Sequence, residues 1–539
     1  MKNLAVSVLF VFLSIDGLTD ERDFSTELER GNQELSSWKI ANASQAADRI
    51  LGLAESTDDK AHALFFKSQV EFHKSDYLNA KELAEKAQEL LPSDNEVADF
   101  IDYLSKVSIN AEKFNEVKTE HFKIRYSHPK DSILVGYAQD VLEKSYYEIG
   151  LDLESYPTES VVVEIYPDLE SFTLASTLSE KDIKTTGVVG ICKFNRIMIL
   201  SPRLLPRGYS WLDTLAHEYT HYLIFVKSGN TVPVWLHEGI AKFEEKRWRE
   251  KSRNVVNPFY ETLLAKALKE NHLVSIEKMH PSLGKLGSAY EAQLAFAQVG
   301  TIVDFLVNRW GSGSLVKLLD NMREKNDYKV AIKDITNKSF QDFHTAWINN
   351  LRSRNLKERI PIKIRELRFV KTGGDSKNQS DDLAQLNDIR SKNHTRLGDM
   401  LRARARLKAA SYEYEKALQF DPISPIIVNR LVSTLSDYGE YDRAKDKLAP
   451  VLELHPDYID SYTNLGRIHY EKGNLNKAEV AYKQAISINP FDPAIHLALI
   501  AIYNKLGQTE LEEKEKKILT TLTAGQPNIG SKIDESKLK

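Results

Sequence analysis

His217, Glu218 and His221 stand in the order His-Glu-Tyr-Thr-His, two imidazoles four residues apart with a carboxylate beside the first. On a helix, residues at that spacing lie about 5–6 Å apart at Cβ, so both rings can reach one point. The surrounding stretch WLDTLAHEYTHYLIF (211–225) contains no Pro or Gly and is apolar enough for a buried helix. Paired imidazole nitrogens suit zinc, which binds nitrogen at about 2.0–2.1 Å and in catalytic sites takes three protein ligands, leaving a fourth position open. Glu218 sits one step round the helix, off the ligand face but placed to take a proton from water.

A third ligand has to come from elsewhere. Gly229-Asn230 and Pro233 break the first helix, and WLHEGIAKFEEKRW (235–248) begins a second amphipathic one with Glu238 in its first turn. Two helices joined by a short turn pack antiparallel, so a carboxylate there can face the imidazoles. His237 is the competing ligand. Neighbours on a helix point about 100° apart, so only one of the two can reach the ion, and spacing alone leaves both open. Asp213 and Glu245 are candidates to hydrogen-bond the far nitrogens of the histidine rings.

These segments, with TGVVGICKFNRIMILSPR (186–203), PVWLHEGIAKFEE (233–245) and SAYEAQLAFAQVGTIVDFLVNRWG (288–311), resemble the gluzincin metallopeptidases. The likeness is to the bacterial peptidase-MA-like group, which often carries tetratricopeptide repeats. It implies one Zn2+ held by His217, His221 and Glu238, with Glu218 as general base. It also implies an α+β zincin-like domain, with a twisted sheet ahead of the zinc helix and a mostly helical second half. Related gluzincins carry an oxyanion-stabilising tyrosine in the later part of the domain. Tyr290 is the candidate for that role. No glycine-rich acidic motif of aminopeptidase type is present, so the expectation is an endopeptidase.

The C-terminal third repeats itself every thirty-four residues: Ala410, Ala444 and Ala478, then Pro422, Pro456 and Pro490. Tyr414, Leu448 and Tyr482 recur in the same phase, and Gly398 and Gly466 lie two periods apart. This resembles tetratricopeptide repeats, in which small residues let paired helices approach and each Pro closes a unit. A fourth unit opens at residue 493 and loses the pattern, as a cap does. Residues 61–94 hold a similar unit, with Tyr77, Ala80, Ala84, Ala87 and Pro92. Between the two repeat regions, HFKIRYS, SVVVEIYP and VVGICKFNRIMILS are β-branched and short enough for strands, the last a hairpin bending at KFN.

The 539 residues exceed one core and call for several domains. At 28% charged and net −4, the chain offers no field for nucleic acid, and the basic run 246–253 reads as the solvated end of the second helix. Cys192 is the only cysteine, so no disulfide forms within the chain. Lys2 followed by an apolar core from Leu4 to Ile15 has the layout of a secretory signal, too short to span a bilayer.

The expected organisation is a signal peptide over 1–19 and helical repeats over 24–110, then the peptidase domain over 111–353. A linker over 354–390, repeats over 391–525 and a disordered tail over 526–539 follow. The expected product is an exported enzyme, periplasmic or extracellular, with no integral membrane segment once mature. Its substrate is a peptide or protein, and its repeats recruit that substrate or a protein partner. The competing reading is an inactive repeat scaffold whose zinc site is structural. A third is amide hydrolysis of cell-wall peptide by the same residues.

Overall fold

The computed structural model of the chain describes residues 23–251, 253–359 and 379–524, together with Pro361 and Phe369. The expected signal peptide and tail, and much of the 354–390 linker, lie outside the described residues. What is described is mostly helical with one small sheet. Among the described residues, no helix is long and apolar enough to cross a membrane.

The sheet comprises β1 (Asn115–Lys118), β2 (Phe122–Tyr126), β3 (Val161–Tyr166), β4 (Gly190–Lys193) and β5 (Arg196–Leu200), in the order β1-β2-β3-β5-β4. β2, β3 and β5 run parallel, and the edges β1 and β4 are antiparallel to their neighbours. β3 reads VVVEIY and is buried at all six positions, as a strand covered on both faces must be. Val163, Ile165, Ile197 and Ile199 face the helices Leu134–Leu153 and Trp211–Ser228 across the main core. Tyr166, Met198 and Leu200 face the short helices Leu169–Ser176 and Glu180–Thr186 on the other side. β2, β3 and the β4–β5 hairpin fall where residue types place strands. β1 and the two short helices carry no such signal.

Among the described residues, five helices precede the sheet, from Phe24–Ser36 to Asn95–Ala111. Ala80, Ala84 and Ala87 are fully buried between the paired helices, and Tyr77 reaches the sheet, donating to Glu164 at 2.7 Å. Four described helix pairs follow the helix Phe340–Ser353, starting at Ile389, Pro425, Ile459 and Pro493. Ala410, Ala444 and Ala478 are fully buried, and a Cβ on Gly398 would stand 2.5 Å from the Tyr414 ring. The fourth pair closes with Thr509–Thr523, although its sequence pattern has faded.

The basic run is only partly solvated. The second helix ends at Glu244, and the arginines beyond it fold back into ion pairs: Arg247 with Glu148 and Asp152, Arg249 with Asp213, Arg253 with Asp152. Asp152 sits near the end of Leu134–Leu153, so Arg247 and Arg253 fasten the segment after the second helix to that helix, while Arg249 and Lys251 stay exposed.

The C-terminal repeats bind the loop that leads into the histidine helix. Tyr209 N–H donates to Ile488 O at 3.0 Å and Trp211 Nε1–H to Ile486 O at 3.1 Å. Gly208 has φ +67°, and a Cβ there would run into the Ile488 backbone. Gly208→Ala is therefore expected to cost about 2–3 kcal/mol, through backbone strain and the lost approach of the two surfaces. Calorimetry should record a lowered unfolding temperature for the repeats. An unchanged melt would mean the contact contributes nothing.

Candidate metal centre

The histidine helix Trp211–Ser228 buries Leu215, Ala216, Tyr219 and Leu223 against the sheet and ends at Gly229. His217 and His221 project from its other side. The chain returns through Pro233 into the helix Val234–Glu244, which carries Glu238. Its neighbour Gly239 lies against the helix Ala289–Trp310: a Cβ there would sit 2.8 Å from Val299 O and 2.9 Å from Val303 Cγ2. The glycine after Glu238 is thus where two helices come close enough for backbone to meet backbone, which sets the position of the turn that carries Glu238.

Three ligand atoms converge. Glu238 Oε2 lies 3.4 Å from His217 Nε2 and 3.5 Å from His221 Nε2, and the two Nε2 atoms are 3.2 Å apart. A tetrahedral ion with bonds of about 2.0–2.1 Å sets its ligand atoms about 3.3 Å apart. The triangle therefore has the size of one face of that tetrahedron, and its donor set of two imidazoles and a carboxylate suits zinc.

The far nitrogens are also held. His217 Nδ1 lies 3.4 Å from Glu245 Oε2, which accepts from Lys242 Nζ at 2.8 Å. His221 Nδ1 shares a 2.7 Å hydrogen bond with His237 Nδ1. His237, the competing third ligand, thus stands behind His221 rather than beside Glu238, as the 100° offset between neighbours requires. Glu245 takes the orienting role open to it. Asp213 does not: it pairs with Arg249 at 2.6 Å and accepts from Trp248 Nε1 at 3.1 Å.

Charge in the pocket is strongly coupled. Burial alone would raise the Glu238 carboxyl, but His221 and His217 hold it well below the usual carboxylate range. Burial opposes a proton on His217, yet hydrogen bonds to Glu238 and Glu245 raise its pKa. His237 is pushed down by burial and by the neighbouring His221.

Glu218 is 6% exposed and lies beside this cluster under the edge strand. Burial raises its carboxyl against the pull of His221 and His217. The Cys192 N–H donates to that carboxylate, and a Cβ on Gly190 would stand 2.9 Å from Glu218 Oε1 and 2.8 Å from Thr214 Cγ2. Gly190 and the Cys192 amide are residues whose part in the site sequence reasoning missed. The one available signal was a glycine inside an otherwise β-branched strand, which marks a close approach. Cys192 itself is half-buried, and its thiol pKa is pushed up by desolvation and by Glu218.

Tyr290 is not brought to the cluster. Its ring lies 5.9 Å from Lys266 Nζ, and burial together with Glu270 and Glu358 raises its hydroxyl. It opens the helix Ala289–Trp310, whose contact with Gly239 is made further along, at Val299 and Val303. Gly190→Ala is expected to push β4 off Glu218 while leaving the three ligand atoms in place. A crystal structure of the variant should show the Glu218 carboxyl displaced while His217, His221 and Glu238 keep their spacing. An unmoved Glu218 would mean that its position does not depend on the strand.

Comparison with known proteins adds to this geometry. Among curated proteins, small glutamine-rich tetratricopeptide repeat-containing protein 2 of Mycosarcoma maydis is 25% identical over 101 residues, 19% of this chain and 29% of that protein. Cellulose synthase operon protein C of Pseudomonas fluorescens (strain SBW25) is 27% identical over 126 residues, 21% of this chain and 9% of that protein. The chain spans less than a third of the length of these relatives. Among solved structures, a thermophilic TPR protein of Thermus thermophilus is 26% identical, covering 24% of this chain and 74% of its own, with a TM-score of 0.23. The MamA protein is 20% identical, covering 25% and 73%, with a TM-score of 0.23. Residues 140–353 match the family described as Peptidase MA superfamily, and residues 435–502 match Tetratricopeptide repeat. A Peptidase MA superfamily domain and tetratricopeptide repeats are thus both found in this chain.

Proposed function

We propose that the chain is an exported zinc metallopeptidase of gluzincin type, cleaving peptide bonds within peptides or proteins that its repeats recruit. The observation that carries this reading is the triangle of His217 Nε2, His221 Nε2 and Glu238 Oε2, 3.2–3.5 Å on a side, with Glu218 next to it. The matched peptidase family supports it, and the repeats supply a surface for protein partners. Export rests on the apolar leader-like stretch between Leu4 and Ile15.

His217, His221 and Glu238 would hold one Zn2+. When bound, such an ion supplies a Lewis acid that polarises a carbonyl and lowers the pKa of water. Glu218 takes the proton from the attacking water and returns it to the leaving amine. A carboxyl raised by burial is a better base than a solvated one, and the Cys192 amide fixes its direction. Glu245 and His237 keep the two ligand rings turned toward the ion.

The sheet suits an extended substrate. β4 pairs with β5 through the two-residue turn Phe194-Asn195, so pairs alternate from Lys193–Arg196 outward. That alternation turns the amides of Gly190 and Cys192 away from β5, toward the side where Glu218 lies. A substrate strand added along this edge would bring its carbonyl past the base.

Glu218→Gln tests the reading. The variant is expected to keep its metal and to lose hydrolysis of a mixed-peptide substrate by about 10²–10⁴-fold. Glu238→Ala is expected to lose the metal. A scaffold with a structural ion would instead keep its cellular function and partner binding unchanged in Glu218→Gln, and that outcome would overturn the peptidase.

A further inference from the structure

The tip of the β4–β5 hairpin is held by elements that a metal site does not itself require. Phe194 and Asn195 form the turn with φ +54° and +60°, a conformation that favours Asn or Gly. The Asn195 side chain points inward rather than to solvent. Its Oδ1 accepts from Tyr222 OH at 3.0 Å, and its Nδ2 donates to His73 O at 3.2 Å. Tyr222 directly follows His221 on the histidine helix, and His73 ends the helix Thr57–His73 of the N-terminal repeat. One carboxamide therefore joins three elements: the edge strand, the metal-binding helix and the repeat.

The contacts around it point the same way. The Phe194 ring packs 5.1 Å from Phe72, and Arg196 at the foot of β5 is fully buried. Its guanidinium donates to Phe72 O at 3.1 Å and lies 4.5 Å from the centre of the Phe72 ring. Trp38, from the turn between the first two helices, stacks 3.6 Å over Phe225 of the histidine helix. At its other end the same short strand presses Gly190 against Glu218 and gives it the Cys192 amide. Four residues of strand thus run from the repeat to the base.

We propose that Asn195 is a positioning residue for Glu218, through which the N-terminal helical repeat holds the edge strand in register against the catalytic carboxylate. The proposal rests on the peptidase reading and deepens it: the repeat next to the sheet is part of the catalytic apparatus as well as a surface for partners. Asn195 touches neither substrate nor ion. It acts through the strand.

Asn195→Gly separates the bridge from the turn, because glycine keeps the left-handed conformation and removes only the carboxamide. Tyr222→Phe removes one of the same hydrogen bonds from the other side. Cys192, the only cysteine and a half-buried one, reports the strand without reference to activity. In the full chain, native alkylation of Cys192 by iodoacetamide is expected to quicken about tenfold in Asn195→Gly, as the strand opens more often. The kcat on a quenched-fluorescent peptide library should fall about tenfold with KM within about twofold, and zinc content should be unchanged. The double variant should be no worse than Asn195→Gly alone, because both changes break one link. Unchanged alkylation overturns the proposal, and so does faster alkylation with kcat intact. If the wild-type chain hydrolyses nothing, the peptidase reading fails by itself, and the alkylation rates still decide whether Asn195 holds the strand.

Discussion

Two imidazole nitrogens and a carboxylate oxygen held 3.2–3.5 Å apart set three electron-pair donors round one point. The rest of the site is arranged around that convergence. The i, i+4 spacing on one helix sets the two nitrogens. Gly239 lets the second helix lie close enough to Ala289–Trp310 for Glu238 to complete the triangle. Glu245, itself paired with Lys242, and His237 each occupy the outer nitrogen of one ring, so neither ring can turn its lone pair elsewhere. On the proposed reading, one divalent cation would satisfy all three ligand atoms at once.

The N-terminal helices and the C-terminal repeats meet this centre from opposite directions along the chain. The C-terminal repeats take the loop ahead of the histidine helix, through Tyr209, Trp211 and the backbone of Ile486 and Ile488. The N-terminal helices take the hairpin behind it and share a buried ionic cluster with the sheet, where Tyr77 and Tyr166 donate to Glu164 and Arg196 lies 3.5 Å away. Full burial of Glu164 and Arg196 is tolerable because tyrosine hydroxyls and a neighbouring guanidinium surround the carboxylate. The helical regions are therefore joined to the sheet by specific polar contacts as well as apolar packing.

Much of this was legible in the residues, and the pattern of what was not has physical causes. Helix periodicity and the thirty-four-residue repeat mark the helices, because they are local. The pairing of His217 and His221 follows from helix geometry alone. His237 and Glu238 could not be told apart by spacing, since their roles depend on the rotation of one helix against another, which Gly239 sets. Tyr290 was drawn from position along the chain, but the helix it opens meets the site only further on. The arginines of 246–253 look like a solvated run until Asp152 and Asp213, distant in sequence, supply their partners. Asn195 reads as a turn residue. Its second use becomes visible only when His73 and Tyr222 are placed beside it.

The most direct test is the anomalous difference density of crystals of the full chain, collected at the zinc edge after zinc is supplied. One peak bonded to His217 Nε2, His221 Nε2 and Glu238 Oε2 at about 2.0–2.2 Å is the expected result. A site without density, or density bound through His237 with Glu238 turned away, would contradict the account.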